Sequence, residues 1–378
     1  MGIFDFLKKH KPEPSASSSN TNTNVSSQAA ANTVSVQPAS IDIPSLSSRI
    51  QKAIPSAAGL YPHEILILNY AESYTDGQNE FQKFWLYDYS VDNPKQVLDS
   101  LLNRGFLCKG GISRSLSALK VPELKKMLTE KDEKTSGKKA ELVERIMAVY
   151  TQNELETMFP NCYYQLTEAG NTEIRQNEYV LYLHRHRFMT VWEMNYLLKA
   201  TNSDARRYRD LIWGELNRRS IEHIQNGDFG LYRCNRLQMH DFVLEEGKYS
   251  TALQFLCEVI SYDLSGHGNS EFAPHPIEQY YLESRMTNFF VDEAEKEVVL
   301  PPGIIRYYQD LYDKLNLSPE EFIKTSYQLF EKIQIHDRIF SAKECANIAL
   351  SLIGLEKREI TNSLAVAKQR MKALLKVK

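Results

Sequence analysis

The residue types best suited to chemistry in this chain are lysines grouped around a glycine. Gly137 follows Ser136 and is followed by Lys138 and Lys139. A glycine lets the backbone approach an anion closely, and ammonium groups attract phosphate. Such contacts position a protein on a nucleic acid without reading its base sequence. The residues that we assign to this phosphate-binding set are Lys120, Lys125, Lys126, Ser136, Gly137, Lys138, Lys139 and Arg145.

These lysines allow two other interpretations. A nucleotide-binding loop of the Walker type is excluded, because Asp132 stands where its first glycine is required. A helical hairpin with a solvated lysine face stays open as an alternative, since runs of charge usually face water. The pattern therefore predicts phosphate contacts, with DNA or RNA as the ligand.

No catalytic site is predicted. Asp241, Glu246 and Lys248 imitate the carboxylates and lysine of a metal-dependent nuclease, but the segment reads as helical, and that chemistry normally uses a strand. His184 and His186 lack a nearby cysteine or carboxylate at ligand spacing. No Gly-x-Ser-x-Gly, HExxH or GxGxxG motif occurs in the sequence. We therefore expect a non-enzymatic protein without a cofactor or a metal.

The composition is that of an ordinary soluble protein. The 378 residues are 42% hydrophobic and 25% charged, with a formal net charge of -3. Because the whole chain is not basic, nucleic acid must be bound by a local patch. Five separated cysteines without a CxxC pair favour reduced thiols and a cytoplasmic location. No stretch approaches the roughly 20 apolar residues of a membrane span, and residues 1–10 lack a signal-peptide core.

Two short helices must position the lysines. Apolar residues recur at helical spacing over residues 121–128 and again over residues 142–149. Pro122 fits the first turn of the first helix, and Ser136 is expected to cap the second. The charged residues 129–135 separate the two helices. Because about 35 residues form only a marginal core, we expect support from elsewhere in the chain.

Residues 116–150 resemble the SAP family. The resemblance rests on LKV at 119–121, the turn SGKK at 136–139 and the ending LVERI at 142–146. It implies a helix–extended–helix module that binds DNA, often AT-rich, and that in some members serves RNA-linked proteins. The chain departs from the family at Asp132 and Glu133, where a glycine and an apolar residue are usual. These two acidic residues reduce the local positive field.

The flanking segments predict a host domain for the module. Residues 93–107 resemble the recognition helix and following strand of a winged helix-turn-helix, and YYQLTEAG at 163–170 resembles the strand and turn of its wing. In an ordinary winged helix these strands form one hairpin, whereas here the whole module separates them. We therefore predict an insertion in the wing, with residues 106–108 antiparallel to residues 163–166. Two unrelated strand-like fragments are the alternative.

The rest of the chain is predicted to be helical. Residues 247–263 resemble the second half of a tetratricopeptide repeat, which implies a protein-docking surface, with plain core packing as the alternative. Ser318 and Ser341 begin capping boxes. An arginine cluster either forms a second phosphate-binding face or is paired with neighbouring acidic residues. It comprises Arg206, Arg207, Arg209, Arg218 and Arg219.

The predicted fold class is mainly α and multidomain, with the SAP module inserted in a winged-helix-like domain and helical domains after it. The main prediction is binding of duplex DNA through the module. The alternatives are a protein-interaction scaffold that docks partners on the helical C-terminal half, and an RNA-linked role. The predicted boundaries are 1–10 for a short amphipathic segment, 11–45 for a disordered linker, 46–110 plus 155–190 for the winged-helix-like domain, 113–152 for the SAP module, 191–270 for a helical region with the tetratricopeptide-like pair, and 271–378 for the C-terminal helical domain.

Overall fold

The computed structural model describes residues 43–267, 285, 288–335 and 338–376. The chain divides into two compact units, the first ending at Arg209 and the second beginning at Asp210. Both units are mainly helical, as predicted. In the described ranges, every helix is too short or too polar to cross a lipid bilayer. The predicted N-terminal segment and all but the last residues of the predicted linker lie outside these ranges.

Helices make up most of the first unit, and one pair of short strands interrupts them. A 3-10 turn at Ala205–Arg207 follows the last helix of this unit. In chain order its elements are α1 (Leu46–Lys52), α2 (Pro62–Ala71), α3 (Phe84–Tyr87), α4 (Pro94–Asn103), β1 (Leu107–Lys109), α5 (Ile112–Ala118), α6 (Val121–Glu130), α7 (Lys139–Val149), α8 (Gln152–Met158), β2 (Tyr164–Leu166), α9 (Glu168–Gln176), α10 (Tyr179–His186) and α11 (Val191–Thr201).

The two strands pair although helices α5 to α8 lie between them in the chain. They run antiparallel, with Leu107 opposite Leu166 and Lys109 opposite Tyr164. Thr75 forms an isolated bridge to Tyr163, so backbone from the segment after α2 lies along the other edge of β2. The predicted pairing of these segments is therefore confirmed, and helices α5 to α8 are inserted between paired strands. The assignment to the winged-helix family stays a prediction.

Local signals explain where the host helices begin and end. The Asn93 side chain accepts a hydrogen bond from the Gln96 amide, Pro94 occupies the first turn of α4, and Gly105 follows the helix with a φ of 80°. The expected turn after β2 was wrong. The Thr167 hydroxyl accepts a hydrogen bond from the Gly170 amide at 3.2 Å, so α9 begins at Glu168, directly after β2, and residues 168–170 belong to the helix.

The second unit is helical except for one hairpin among its described residues. The predicted caps at Ser318 and Ser341 are confirmed, since each hydroxyl accepts a hydrogen bond from the glutamate amide three residues on. The elements from Tyr208 onward are α12 (Tyr208–Asn226), α13 (Phe229–Glu245), α14 (Tyr249–Asp263), β3 (Phe290–Asp292), β4 (Glu297–Val299), α15 (Pro302–Leu315), α16 (Pro319–Lys332), α17 (Ala342–Leu352) and α18 (Leu364–Lys376).

The predicted helical C-terminal region also contains the β3–β4 hairpin, which the sequence analysis did not identify. Val291 pairs with Val298 across it. The Asp292 carboxylate accepts hydrogen bonds from the Ala294 and Glu295 amides, which turns the chain between the strands. Lys296 completes the turn with a φ of 55°. Strands of three residues are too short to leave a clear alternating pattern in the sequence.

Candidate nucleic-acid interface

A separate hydrophobic core holds the inserted helices together. Leu124 and Leu128 of α6 pack with Leu142 and Ile146 of α7, and all four side chains are buried. The support that the two predicted helices require comes from their neighbours in the chain. Leu116 on α5 and Leu155 on α8 are buried in the same cluster, with Ile112 and Phe159 packed against it. The inserted module is therefore a four-helix unit.

Polar contacts hold α8 against the end of α6. The Tyr150 hydroxyl donates to the Met127 carbonyl oxygen at 2.8 Å. The Lys131 ammonium lies 2.7 Å from the Glu154 carboxylate and 4.6 Å from the centre of the Tyr150 ring. Hydrogen bonds from Lys131 and Thr151 lower the pKa of Glu154 to about 2. Lys131 is therefore part of the module's internal structure.

The chain leaves α6 through a residue with left-handed backbone. Asp132 has a φ of 54°. Its amide donates to the Thr129 carbonyl and the Glu133 amide donates to the Leu128 carbonyl, at 3.1 and 2.8 Å, which satisfies the last carbonyls of the helix. This is a position that favours glycine, the residue usual in the SAP family. Aspartate tolerates this backbone better than most residues, so the departure preserves the turn and adds a negative charge.

The turn before α7 favours glycine because of its backbone angle. Gly137 has a φ of 134°, and a Cβ atom there would lie 2.5 Å from the Glu141 carboxylate. That carboxylate accepts a hydrogen bond from the Lys138 amide at 3.2 Å. The prediction that Ser136 caps the helix was wrong, because α7 begins only at Lys139. The positive φ of Gly137 carries the chain past Ser136 before the helix starts.

The N-terminus of α7 has the properties of an anion-binding site. The Glu141 carboxylate caps the Lys138 amide, whereas the N–H groups of Lys139 and Ala140 lie in the first turn, where the helix itself offers them no acceptor. The positive end of the helix dipole lies at the same place. Lys138 and Lys139 are both exposed there. Backbone donors and ammonium groups are thus presented together to solvent.

The predicted lysines are arranged as phosphate contacts require. All five are exposed, and within the described part of the chain none of them forms an ion pair, in contrast to Lys131. Residues 115–150 contain eight Lys and Arg against six Asp and Glu, a net charge of +2 in a chain whose net charge is -3. The basic character is therefore local. The lysines concerned are Lys120, Lys125, Lys126, Lys138 and Lys139.

Arg145 has a different place from the lysines. Its guanidinium is half-buried and donates to the carbonyl oxygens of Lys134 and Ser136, the latter at 3.2 Å. It therefore holds the loop that leads to the turn. Lys134, whose side chain is exposed in this loop, is absent from the predicted set. The position of Lys134 two residues before Ser136, in the same basic segment, was the sequence feature that could have identified it.

The residues that imitate a nuclease lie on α13 and in the connection that follows it. Glu246 and Lys248 lie in the connection between α13 and α14, and their side chains form a 2.7 Å ion pair. Asp241 lies on α13, where burial and the nearby Glu245 raise its pKa to about 7. Among the described residues, no group of three or more His, Cys, Asp or Glu side chains is arranged to hold a metal ion.

Much of the predicted arginine cluster is engaged with acidic residues. Arg206 binds both oxygens of the Asp204 carboxylate. Arg218 and Arg219 both contact Glu215, at 2.7 and 2.8 Å. The interpretation as a paired, solvated face therefore applies to these three arginines.

Comparison with known proteins bears on the inserted module alone. Residues 115–150 match the model of the SAP domain, a nucleic-acid-binding module. The match begins in α5 and ends directly after α7, so it includes the turn and all the predicted lysines. No curated protein and no solved structure matches the chain.

Proposed function

From the SAP domain at residues 115–150, we propose that this protein binds duplex DNA without catalysis, through phosphate contacts around the turn at 136–139. The observation that carries the proposal is the exposed pair Lys138 and Lys139 at the start of α7. Backbone amides at a helix N-terminus and nearby ammonium groups together bind phosphate oxygens.

The chemistry of this surface favours phosphate over base contacts. Ammonium groups and backbone amides recognise charge, whereas reading a base edge usually takes a bidentate arginine or amide side chain. Arg145 is committed to the loop carbonyls. We therefore propose binding with little dependence on sequence and strong dependence on salt.

A titration at several salt concentrations tests the proposal. The full chain should bind a blunt DNA duplex, and the double variant Lys138→Ala, Lys139→Ala should bind it more weakly. Each lost phosphate contact lowers the slope of log K against log salt by about 0.9, so the slope should fall by roughly two. The melting temperature should stay unchanged, because both side chains are exposed.

The matched control is the double variant Lys52→Ala, Lys83→Ala, which removes two exposed lysines of the same unit outside the module. It should bind like the parent chain. Equal slopes for the parent and the Lys138, Lys139 variant would remove the turn from the interface. If the chain binds an RNA duplex of the same sequence more tightly, the ligand is RNA and not DNA. Cleavage of either substrate with Mg²⁺ or Mn²⁺ would refute the non-enzymatic part of the proposal.

A further inference from the structure

The first unit contains a cavity of about 430 Å³. It lies between the segment that joins α1 to α2, the junction of α9 and α10, and α11 with the 3-10 turn that follows it. Its volume is in the range of small-molecule sites in proteins. None of the predicted phosphate-binding residues lines it. The cavity is therefore a feature of the host and separate from the lysine turn.

Hydrogen bonds within the first unit hold the walls of the cavity in place. The Asn195 side chain accepts a hydrogen bond from the Ile54 amide and donates one to the Ile54 carbonyl oxygen, both at 2.9 Å. The Ser56 hydroxyl accepts a hydrogen bond from the Leu60 amide at 3.1 Å. These contacts fix the segment between α1 and α2 against α11. The cavity is therefore preformed, which lowers the entropic cost of binding a ligand.

Two buried polar residues that line the cavity keep unused hydrogen-bonding capacity. Tyr179 is 2% exposed, and its hydroxyl accepts a hydrogen bond from Asn195 Nδ2 at 3.3 Å. Burial raises the pKa of Tyr179 to about 12, so the hydroxyl keeps its proton, for which the described residues provide no acceptor. Asn177 is 8% exposed. Its Nδ2 donates to the Glu173 carbonyl oxygen at 2.9 Å, whereas its Oδ1 accepts no hydrogen bond in the described part of the chain. The wall thus offers one donor and one acceptor.

The charges that line the cavity cancel each other. Asp204 and Arg206 are exposed and form an ion pair at 2.5 Å. Hydrogen bonds from Arg206 lower the pKa of Asp204 to about 2, so both partners stay ionised. The other described residues that line the cavity are uncharged. A charged ligand would therefore find no unpaired counter-ion, and the cavity suits a neutral molecule.

Aliphatic walls favour a nucleobase over a sugar as this molecule. A base has its donors and acceptors on its edge and two apolar faces, and a base outside a helix is held by hydrogen bonds to the edge and by side chains on the faces. A sugar carries hydroxyls over its whole surface, and several would lie unpaired against Leu60, Ile65 and Leu198.

We propose that this cavity binds the neutral base of a nucleoside or of an unpaired position in a nucleic-acid strand. The Tyr179 hydroxyl donates a hydrogen bond to the edge of the base, and Asn177 Oδ1 accepts one from it. The base lies against the aliphatic wall. The inference goes beyond the proposed duplex binding and does not rest on it, because it uses none of the residues of the lysine turn.

Calorimetric titration of the full chain with the common deoxynucleosides and with maltose tests the inference. At least one nucleoside should bind, with a Kd of roughly 0.1 mM for a ligand of this size, and maltose should not. Tyr179→Phe removes the donor and keeps the ring, so it should weaken binding roughly fivefold. Ala205→Phe places a ring in the cavity and should abolish binding. The matched control is Tyr87→Phe, which removes an exposed hydroxyl on α3, outside the cavity. Thermal melts check that each variant is folded.

A second titration identifies the source of the base. A single strand of about ten nucleotides is compared with a strand of the same length made of abasic units, which keeps every phosphate. Phosphate contacts contribute equally to both strands. Tighter binding of the strand with bases, lost in Ala205→Phe, would place a base of the strand in the cavity. Equal binding of both strands, together with nucleoside binding, would make the free nucleoside the ligand.

Three results would overturn the inference. The first is that no nucleoside binds and the bases of the strand add nothing. The second is that Tyr179→Phe or Ala205→Phe binds the nucleoside as tightly as the parent chain does. The third is that maltose binds more tightly than every nucleoside. The Lys138→Ala, Lys139→Ala variant should bind nucleosides like the parent chain, so failure of this site and failure of the proposed duplex binding are distinguishable.

Discussion

Asp132 combines a backbone role with a charge that opposes the proposed ligand. Its φ of 54° closes the end of α6, and its side chain is exposed in the loop that leads to the lysine turn. Asparagine adopts left-handed backbone as readily as aspartate but carries no charge. Substitution can therefore separate the two roles.

The variant Asp132→Asn should bind duplex DNA more tightly at low salt, by roughly threefold, because it removes a negative charge from the loop that leads to the lysine turn, and such charges are least screened at low salt. Its urea unfolding midpoint should match that of the parent chain. Asp132→Ala removes the same charge but should unfold more easily, by about 1 kcal/mol, since alanine tolerates the left-handed backbone less well. Identical affinities of the Asn variant and the parent chain across a salt series would show that Asp132 lies away from the ligand.

His63 makes the first unit sensitive to acid. The side chain is 4% exposed, and its ring centre lies 5.8 Å from that of Trp192. Burial, and secondarily the charge of Arg104, lower its pKa from 6.5 to about 4. Between these two values the unfolded chain binds a proton that the folded chain does not.

The free energy of unfolding should therefore be highest above pH 6.5 and should fall as the pH is lowered from 6.5 towards 4. The loss from His63 is at most about 3.5 kcal/mol, since one pKa unit corresponds to about 1.4 kcal/mol. Urea unfolding at pH 7 and pH 4.5 measures it. The variant His63→Phe keeps an aromatic ring beside Trp192 without titrating and should lose less stability in acid. If the parent chain and the His63→Phe variant lose the same free energy of unfolding in acid, other groups cause the acid sensitivity.

At the scale of the elements, α8 extends the module beyond the SAP match. The match ends at residue 150, yet Leu155 on α8 is 1% exposed within the same core. Lys131 on the loop after α6 also contacts Glu154 at 2.7 Å. The folding unit therefore includes residues that the family model leaves out.

Leu155→Ala should lower the free energy of unfolding of the module by roughly 3 kcal/mol, because it leaves a cavity in a small core. Met158→Ala on the same helix is the control, since Met158 is 47% exposed and its loss should change little. Thermal melts of a peptide covering residues 111–160, with and without each change, measure both effects. A Leu155→Ala peptide as stable as the parent peptide would show that α8 is dispensable.

At the scale of the whole molecule, the proposed phosphate contacts are confined to an insertion in the first unit. The insertion leaves the host after β1 and returns at β2, where the Asp76 side chain accepts a hydrogen bond from the Cys162 amide. Lys109 also lies 2.8 Å from Asp76, so the base of the insertion is held independently of its core. The second unit contains no member of the phosphate-binding set, and its role as a partner-docking surface stays a prediction.

Replacing residues 111–160 with a short Gly/Ser linker should leave a folded, cooperatively melting chain that has lost most of its duplex affinity. Closing the loop with a shorter linker changes the closure entropy little, about 0.6 kcal/mol per doubling of length. Circular dichroism and the duplex titration together check this expectation. Retained affinity in the folded, excised chain would place the duplex contact in the host and contradict the SAP assignment of the function.

The sequence by itself determined the features that depend on neighbouring residues. Helical spacing identified α6 and α7, and the strand-like segments around Leu107 and Tyr164 predicted an antiparallel pair. The residues of the turn at 136–139 are also neighbours in the chain, and their types indicated phosphate binding. Helical spacing, capping residues and local charge depend on residues within one or two turns of the chain. They can therefore be identified from a single sequence.

Only the tertiary structure decided the features that depend on backbone angles and distant contacts. Gly137 has a positive φ, and α7 begins after it instead of at Ser136. The Arg145 guanidinium donates to the loop carbonyls instead of facing the solvent. Leu155 is buried in the module core. The His186 ring stacks on Tyr182, which also contacts Tyr208. A side chain's partners across the fold are set by packing, which residue order alone does not specify.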